Sequence, residues 1–283
     1  MIARAALCAC VLAGCATAPP AEQPAAAHDE PVAAAAGSET GPQEPEPAAK
    51  PAQSVLQVAQ PIGAVRLAGN VAALRDGKPV MFIVHGASGP ARSRLATSHP
   101  EARTTGDSVA IGPGVLPSAV LERHRAPSFL VDSDQPAVLA LAQGIPAGAT
   151  PTELRKRIGA HFERIQYGDF WTASRAAARK AGDCTEHAVL LAAVARALGM
   201  PARVVLGYAV LTDQQNGYAF GHAWTEIHDG TRWQRLDATP TSDLNPTYII
   251  LSELDDEGPG FAIGTSELIS ILLRTSLDVE LAQ

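Results

Sequence analysis

The chain has 283 residues, of which 46% are hydrophobic, so it is long enough for one sizeable domain and part of another. It carries 22 basic and 29 acidic side chains, and its sequence pI is about 5.6. This balance argues against a nucleic-acid partner, which would usually require a basic face.

The first fifteen residues have the pattern of a targeting signal. Arg4 precedes an apolar stretch, Ala5 to Ala13, which is too short to span a bilayer as a helix of about 20 residues. The segment Leu12 to Cys15 resembles the lipobox of bacterial lipoproteins, which implies lipidation of Cys15 and a membrane anchor in the cell envelope. In such proteins, Ala16 after the cysteine implies the periplasmic face of the outer membrane. An ordinary secretory signal is the alternative.

Residues 16–60 are rich in alanine, proline and glutamate and lack apolar periodicity. Proline interrupts helices and like charges repel one another. This composition predicts an extended, disordered linker.

Residues 61–127 are predicted to form a β-rich segment. Val71–Arg75 and Lys78–Val84 flank Asp76-Gly77, a pair typical of a two-residue hairpin turn, and Ser108–Ile111 is a further predicted strand. No motif in the segment indicates a chemistry, so its role is left open.

Residues 128–283 are predicted to form one domain that begins with three helices. The first runs from Ser133 to Gln143. The second begins at a capping box formed by Thr150 and Glu153, and its apolar face extends to Ile165. The third runs from Ala173 to Lys180.

The next predicted helix carries a cysteine in its first turn. Asp183 and Glu186 have the spacing of a capping box, which makes Cys184 the first helical residue, and apolar residues recur along one side until Gly199. The free amides and the positive end of the helix dipole favour a thiolate there. A small buried core cysteine is the alternative.

The expected fates of the other cysteines make Cys184 a stronger candidate for a reactive residue. Cys8 and Cys10 would leave with the signal and Cys15 would carry lipid, so Cys184 would be the only free thiol. A leftover cysteine in an oxidising compartment is a candidate reactive residue.

The predicted helix is followed by strands. Arg203–Tyr208 is the first, Tyr248–Leu251 is a later one, and residues 266–281 are predicted to close the fold as a helix or a strand. These strands and the preceding helices predict an α+β fold in which the helices pack on an antiparallel sheet.

A hairpin between these strands brings a histidine and an aspartate together. Asp229-Gly230 is a second signal for a two-residue turn, and counting back from it places His222 directly opposite Asp237. Such partners have Cβ atoms about 5 Å apart, close enough for a carboxylate to orient an imidazole. A bulge or a longer loop would change this register.

A thiolate, an imidazole and an orienting carboxylate are suited to nucleophilic attack on a carbonyl carbon. The segments GDCTEHA, GMPARVVLGY, GHAW and RWQRLDAT resemble, in this order, the core of the transglutaminase-like superfamily, over about residues 128–254. The resemblance implies a papain-like fold in which Cys184 is the nucleophile, His222 the general acid and base, and Asp237 the orienting carboxylate.

Other interpretations of these residues stay open. Cys184, His187 and His222 have a spacing that permits zinc ligation, although no second cysteine pair completes such a site. His187 lies one helical turn from Cys184 and is an alternative catalytic histidine, but it has no predicted carboxylate partner.

Four aromatic residues are candidates for contact with the substrate. In the predicted register Trp224 and Trp233 share the face of His222, so they line either a cleft or the core. Trp171 and Tyr208 are further candidates for binding the substrate or its oxyanion, without a spacing argument.

Together these patterns predict a cell-envelope enzyme that acts on peptide or protein amides through a thioester on Cys184, without a cofactor or a metal ion. Bacterial members of the superfamily are mostly regarded as peptidase-like and no calcium-site pattern is visible, so hydrolysis is favoured over acyl transfer. The alternative is a non-catalytic envelope protein that binds peptide or peptidoglycan with the same fold.

Overall fold

The computed structural model describes residues 64–87, 89–167, 170–255 and 276–282. The predicted signal with Cys15, the linker and residues 266–275 of the predicted closing element lie outside the described residues. In the described part of the chain, no helix has both the length and the apolar character that crossing a membrane requires.

The described chain forms short elements first and long central ones later. In chain order they are β1 (Val65–Arg66), β2 (Ala68–Gly69), α1 (Val71–Arg75), β3 (Val80–His85), α2 (Gly89–Ser98), β4 (Arg103–Thr105), β5 (Ser108–Ile111), α3 (Pro136–Gln143), α4 (Pro151–His161), β6 (Arg164–Ile165), α5 (Ala173–Arg179), β7 (Ala181–Gly182), α6 (Cys184–Ala197), β8 (Ala202–Thr212), β9 (Gly217–His228), β10 (Trp233–Leu236), β11 (Thr247–Glu253) and β12 (Ser276–Leu281), with 3-10 turns at Glu122–His124 and Pro240–Leu244.

The first sheet is antiparallel and carries the predicted site. Its order is β1-β9-β8-β11, and β10 pairs with the end of β9. The predicted strands Arg203–Tyr208 and Tyr248–Leu251 are confirmed, and both are longer than expected, because β8 and β11 continue past the predicted ends. The α+β class expected for this region is confirmed.

The second sheet takes strands from both ends of the described chain. Its order is β2-β12-β3-β5-β4, with β12 antiparallel to β3 and parallel to β2. The described end of the predicted closing element is therefore a strand, and the predicted strand Ser108–Ile111 is confirmed. The proposed domain boundary at residue 127 stays a prediction, although this sheet draws strands from both sides of it.

The hairpin predicted around Asp76-Gly77 is wrong. Residues Val71–Arg75 form the short helix α1, whose first turn is capped by the Asn70 side chain accepting a hydrogen bond from the Ala73 amide. Gly77 has φ +69°, a left-handed conformation that ends a helix as readily as it forms a hairpin turn. The Asp-Gly pair thus terminates a helix here.

The helices before the cysteine agree with prediction except at their ends. Thr150 and Glu153 form the expected capping box of α4, but α4 ends at His161 and Phe162 is already extended. Ile165 therefore lies in β6 and is exposed, not on the helical face predicted for it. Helix α3 begins at Pro136, three residues later than expected, because proline suits the first helical position.

Helix α6 is the centre of the helical layer. Every residue from Glu186 to Ala195 is buried, whereas the apolar stripe predicted burial along one side. The extra burial arises because α3, α4 and α5 cover faces of α6 that the sheet does not.

The strands of the first sheet have two differently covered faces. On β8, Tyr208 and Val210 pack in a cluster shared with the second sheet, whereas Val205 and Ala209 pack in a cluster on the opposite face. This alternation follows from the two-residue period of a strand. His222 belongs to the second of these faces, because it pairs with Gly207 in the same register.

We expect Gly207→Ala to lower the free energy of unfolding by about 1–3 kcal/mol, as overpacking does in other cores. A Cβ atom at this position would overlap the Ile249 carbonyl oxygen and lie 2.8 Å from the Trp224 ring. Urea denaturation at neutral pH would measure the change.

The matched control is Gly89→Ala, because a Cβ atom at Gly89 has no neighbour within 4 Å. Its effect should stay within about 0.5 kcal/mol. Equal stability of the two variants would contradict the close approach of β8 and β11 at Gly207.

Candidate active site

Cys184 is the first residue of α6, as predicted. The Asp183 carboxylate accepts a hydrogen bond from the Thr185 amide (2.9 Å), and the Glu186 carboxylate accepts one from the Asp183 amide (2.9 Å). The predicted capping box is therefore confirmed. Cys184 is partly exposed, so its thiol lies at the positive end of the helix within reach of solvent.

The hairpin that carries His222 and Asp237 has a different register from the predicted one. Trp233 pairs with His228, so the loop consists of the four residues 229–232 and not of two. The predicted direct pairing of His222 with Asp237 is therefore wrong.

The longer loop is stabilised by the side chain of its first residue. The Asp229 carboxylate accepts hydrogen bonds from the amides of Thr231 (2.8 Å) and Arg232 (2.9 Å). An aspartate that binds the backbone two and three residues ahead favours this wider turn over a two-residue one.

The shift in register leaves His222 and Asp237 on one face of the sheet. The pairing is displaced by two residues, and side chains along a strand repeat their orientation every two residues. Asp237 follows directly after β10, where the chain leaves the ladder, and its side chain reaches the imidazole. The two residues are therefore together, although for a reason that differs from the predicted one.

Asp237 is held by four hydrogen bonds. The His222 Nε2 atom lies 2.8 Å from Asp237 Oδ2, and the Tyr248 hydroxyl donates to the same oxygen (2.7 Å). The amide and hydroxyl of Thr239 donate to Oδ1 at 2.9 and 2.7 Å. His222 and Asp237 are each 4% exposed. A buried carboxylate with these donors has one orientation and keeps the imidazole in one orientation as well.

The electrostatics of the pair favour its ionised form. Burial lowers the pKa of His222, but hydrogen bonds to Asp237 and to Cys184 outweigh it and raise the pKa to about 10. Burial by itself would raise the pKa of Asp237. The hydrogen bonds from His222, Thr239 and Tyr248 outweigh burial, so the pKa of Asp237 lies below its usual value. Because Nε2 faces Asp237, Nδ1 is the ring nitrogen left for the interaction with the Cys184 thiol.

The same part of the chain matches a known family. Residues 139–238, which contain Cys184, His222 and Asp237, match the model described as the transglutaminase-like superfamily. These residues form a transglutaminase-like core. The match covers about a third of the chain, and it is a likeness of this part to that superfamily.

Several solved structures resemble the chain at low identity. A proposed cysteine protease from Cytophaga hutchinsonii is 17% identical, with 78% of this chain and 85% of that chain covered and a TM-score of 0.41. The periplasmic domain of TgpA from Pseudomonas aeruginosa, bound to ethylmercury, is 21% identical, with 48% and 57% covered and a TM-score of 0.30. These scores are too low to support a conclusion about function. No curated protein matches the chain.

Two of the predicted aromatic residues lie beside the transglutaminase-like site. The Trp224 ring is nearly parallel to the His222 ring at 6.4 Å between centroids, and it is 1% exposed. The amide of Trp171, itself 3% exposed, donates to Glu186 Oε1 (3.0 Å) beside the start of α6. Their contact with substrate stays a prediction.

The other two aromatic residues lie elsewhere. Tyr208 is fully buried in the cluster between the two sheets, on the face of the first sheet opposite His222. Trp233 lies at the far end of the hairpin, where the Arg203 guanidinium stacks 4.1 Å from its ring centroid. The structure therefore does not bring these two residues to the thiol.

His187 is placed as a supporting residue. Its Nδ1 donates to the Asp183 carbonyl oxygen (2.7 Å), and its ring stacks on Phe162 at 3.7 Å between centroids. Burial lowers the pKa of His187, which keeps the ring neutral. The carboxylate partner expected of a catalytic histidine belongs to His222 instead. Within the described ranges, no three His, Cys, Asp or Glu side chains are grouped to hold a metal ion.

Sequence reasoning missed several residues of the site. Tyr248 has no pattern that connects it with Asp237, since β11 meets Asp237 only in the folded sheet. Thr239 follows Asp237 by two residues, which is the spacing of an aspartate that binds the backbone ahead of it, so this contact had a signal. Glu186 was identified as a capping residue. No sequence pattern indicated its second hydrogen bond, which it accepts from the Trp171 amide.

We expect iodoacetamide to alkylate Cys184 at pH 7 at least about tenfold more slowly in His222→Ala than in the wild type. The raised pKa keeps His222 protonated from acidic pH up to about 10, so the wild-type rate should change little across the neutral range. The variant rate should rise steadily with pH. Mass spectrometry of the labelled protein measures both profiles.

His85→Ala is the matched control, because His85 lies on the second sheet. It should leave the rate unchanged. A wild-type pH profile identical to that of His222→Ala would contradict the pairing of thiol and imidazole.

We expect Asp237→Asn to lower the free energy of unfolding at pH 7 by about 1–3 kcal/mol, because an amide cannot replace the charge-assisted bonds. The folded pKa of Asp237 is lowered, so its contribution is present above its unfolded pKa and is lost as pH falls through the folded one. The difference from the wild type should therefore be constant near neutrality and shrink below about pH 4.

Urea denaturation at several pH values would measure this difference, with the exposed Asp243→Asn as the control. A difference that grows as the pH falls would show that the carboxylate is not stabilised by its partners.

Proposed function

We propose that the protein is a cysteine-dependent enzyme that breaks amide bonds in peptides or proteins. The observation that carries this proposal is the placement of the Cys184 thiol at the start of α6, in contact with an imidazole that a buried carboxylate holds. In this proposal Cys184 is the nucleophile, His222 the general acid and base, and Asp237 the residue that orients His222.

In the first half of the reaction, the Cys184 thiolate attacks the carbonyl carbon of the substrate. The carbon–nitrogen bond of the resulting tetrahedral intermediate breaks, and its electron pair leaves with the nitrogen. Protonated His222 gives its proton to that nitrogen, so a free amine departs and a thioester remains on Cys184. The raised pKa of His222 supports this role, because the imidazole carries the proton at neutral pH.

In the second half, water attacks the thioester carbon and His222 takes a proton from it. The carbon–sulfur bond then breaks, which releases a carboxylic acid and restores the thiolate. A substrate amine in place of water would give acyl transfer. We favour water as the acceptor of the acyl group. The chain resembles a superfamily whose bacterial members are mostly regarded as peptidase-like, and this resemblance is the argument that separates the two acceptors.

The oxyanion of the intermediate needs hydrogen-bond donors. The Thr185 amide is already bonded to Asp183, so the Cys184 amide is the candidate donor at the helix start. The Trp171 indole N–H is a second candidate, since it is buried and has no hydrogen-bond partner in the part of the chain that the structure describes. The Trp224 indole N–H is buried without a partner in the same way, and its ring lies 6.4 Å from the His222 ring, so it is a third candidate. Tyr208, the other predicted substrate-binding residue, has no comparable support.

The location follows from the sequence alone. We propose that Cys15 carries lipid and anchors the protein in the bacterial cell envelope, with residues 16–60 as a tether. The division into a segment 61–127 and a catalytic domain 128–283 is part of the same proposal. A tethered enzyme of this kind would act on peptides or on wall fragments within reach of its membrane.

The proposal predicts that the purified full-length protein, incubated with a panel of peptides and cell-wall fragments, releases new amines and acids. Cys184→Ala should release none, and Asp243→Asn, which changes an exposed carboxylate, should behave as the wild type. Mass spectrometry of the mixture identifies the bond that is cut.

Products that join two substrates would show acyl transfer instead of hydrolysis. Retention of a peptide by both the wild type and Cys184→Ala, without any product, would contradict the enzyme and favour the non-catalytic binding protein.

A further inference from the structure

Exposed apolar side chains are concentrated beside the nucleophile. In the described chain ten large hydrophobic side chains are exposed, and three of them lie within residues 165–170. Ile165 is 54% exposed, Tyr167 55% and Phe170 48%. Single exposed apolar residues are common on protein surfaces, but a cluster at a reactive group indicates contact with something apolar.

The pairing of two short strands explains why this cluster lies at Cys184. Strand β6 runs parallel to β7, with Ile165 opposite Gly182, and the Gln166 amide donates to the Gly182 carbonyl oxygen (3.2 Å). The ladder ends at Gly182, so Tyr167 follows directly after the residue that bonds to Gly182, two positions before Cys184 begins α6.

An independent observation supports that placement. Partial burial raises the pKa of the Tyr167 phenol, and the charges of Asp183 and Cys184 raise it further. Such an effect requires the phenol to lie near both residues at the start of α6. The phenol therefore stays neutral at physiological pH and offers an aromatic face next to the thiol.

The charges around the cluster favour one class of side chain. Residues alternate in direction along β6, so Arg164 points away from the side of Ile165. The Asp183 carboxylate lies close enough to raise the pKa of Tyr167, and its charge would repel an acidic substrate side chain. Ile165 and Phe170 offer apolar surface and no hydrogen-bonding side chain.

We propose that Tyr167, flanked by Ile165 and Phe170, is a specificity-determining residue that selects an aromatic or large aliphatic side chain next to the amide bond that is cut. This inference rests on the proposed function, since it concerns the substrate of the same thiol. It narrows the substrate class from peptides in general to peptides with an apolar residue beside the scissile bond.

The test compares the rates at which three reagents alkylate Cys184 in the full-length protein. The reagents are iodoacetamide, N-benzyl iodoacetamide and N-iodoacetylglycine, which carry no group, an aromatic group and a carboxylate. Each rate is divided by the rate with free cysteine. We expect the wild type to prefer the benzyl reagent to iodoacetamide by about tenfold, the lower end of what one apolar contact contributes to selectivity.

Tyr167→Ala should remove this preference while leaving the iodoacetamide rate within about twofold of the wild type. Tyr167→Phe keeps the ring and should keep the preference. The control Val115→Ala changes another exposed apolar residue, 64% exposed, and should have no effect.

Three outcomes would overturn the inference: a wild type without the benzyl preference, a preference for the carboxylate reagent, or a Tyr167→Ala variant that slows all reagents equally. Alkylation needs no turnover and the readout is a ratio of rates. A benzyl preference without any hydrolysis would thus contradict the proposed function, whereas hydrolysis without a benzyl preference would contradict this inference alone.

Discussion

The Asp237 carboxylate is the group on which the geometry of the site depends. A buried charge is costly unless hydrogen bonds replace the lost water, so the position of Asp237 requires all of its donors. These donors come from separate places: His222 from β9, Tyr248 from β11, and Thr239 from the turn after β10. The pair that orients the imidazole therefore exists only when the first sheet has assembled.

Gly207 makes that convergence sterically feasible. Strand β8 lies between β9 and β11, and on the face of the site Gly207 is the residue of β8 that pairs with His222. Because it has no side chain, the rings of His222 and Tyr248 approach to 6.0 Å between centroids above β8. A side chain at this position would overlap the Ile249 carbonyl oxygen and press on the Trp224 ring, which lies beside His222.

The start of α6 is held by local contacts of a different kind. Glu186 accepts hydrogen bonds from the Asp183 and Trp171 amides, so one buried carboxylate joins the helix to the preceding loop. Burial raises the pKa of Glu186 to about 7. With the pairing of β6 and β7, this contact ties the chain around Trp171 to the start of α6. The sheet thus orients the His222 imidazole, and these local contacts hold the helix start that presents the Cys184 thiol.

Local signals predicted local structure well. The capping boxes at Thr150 and Asp183 depend on residues only three positions apart, and both formed as expected. The Asp-Gly pairs were less informative, because the same dipeptide ends a helix at Gly77 and lies in a four-residue loop at Gly230. A dipeptide permits a left-handed conformation without determining which element precedes it.

By itself, the sequence determined the chemical groups of the site, the helix that presents Cys184 and the strand face shared by His222 and Asp237. These depend on short spacings. The predicted hairpin register was displaced by two residues, and because side chains repeat their direction every two residues along a strand, the predicted face was still correct. Only the tertiary structure decided that β12 closes the second sheet, that Tyr248 binds Asp237 and that β6 pairs with β7 just before Cys184. These contacts join elements far apart in the chain or in separate strands, and they arise from packing, for which a linear pattern carries no signal.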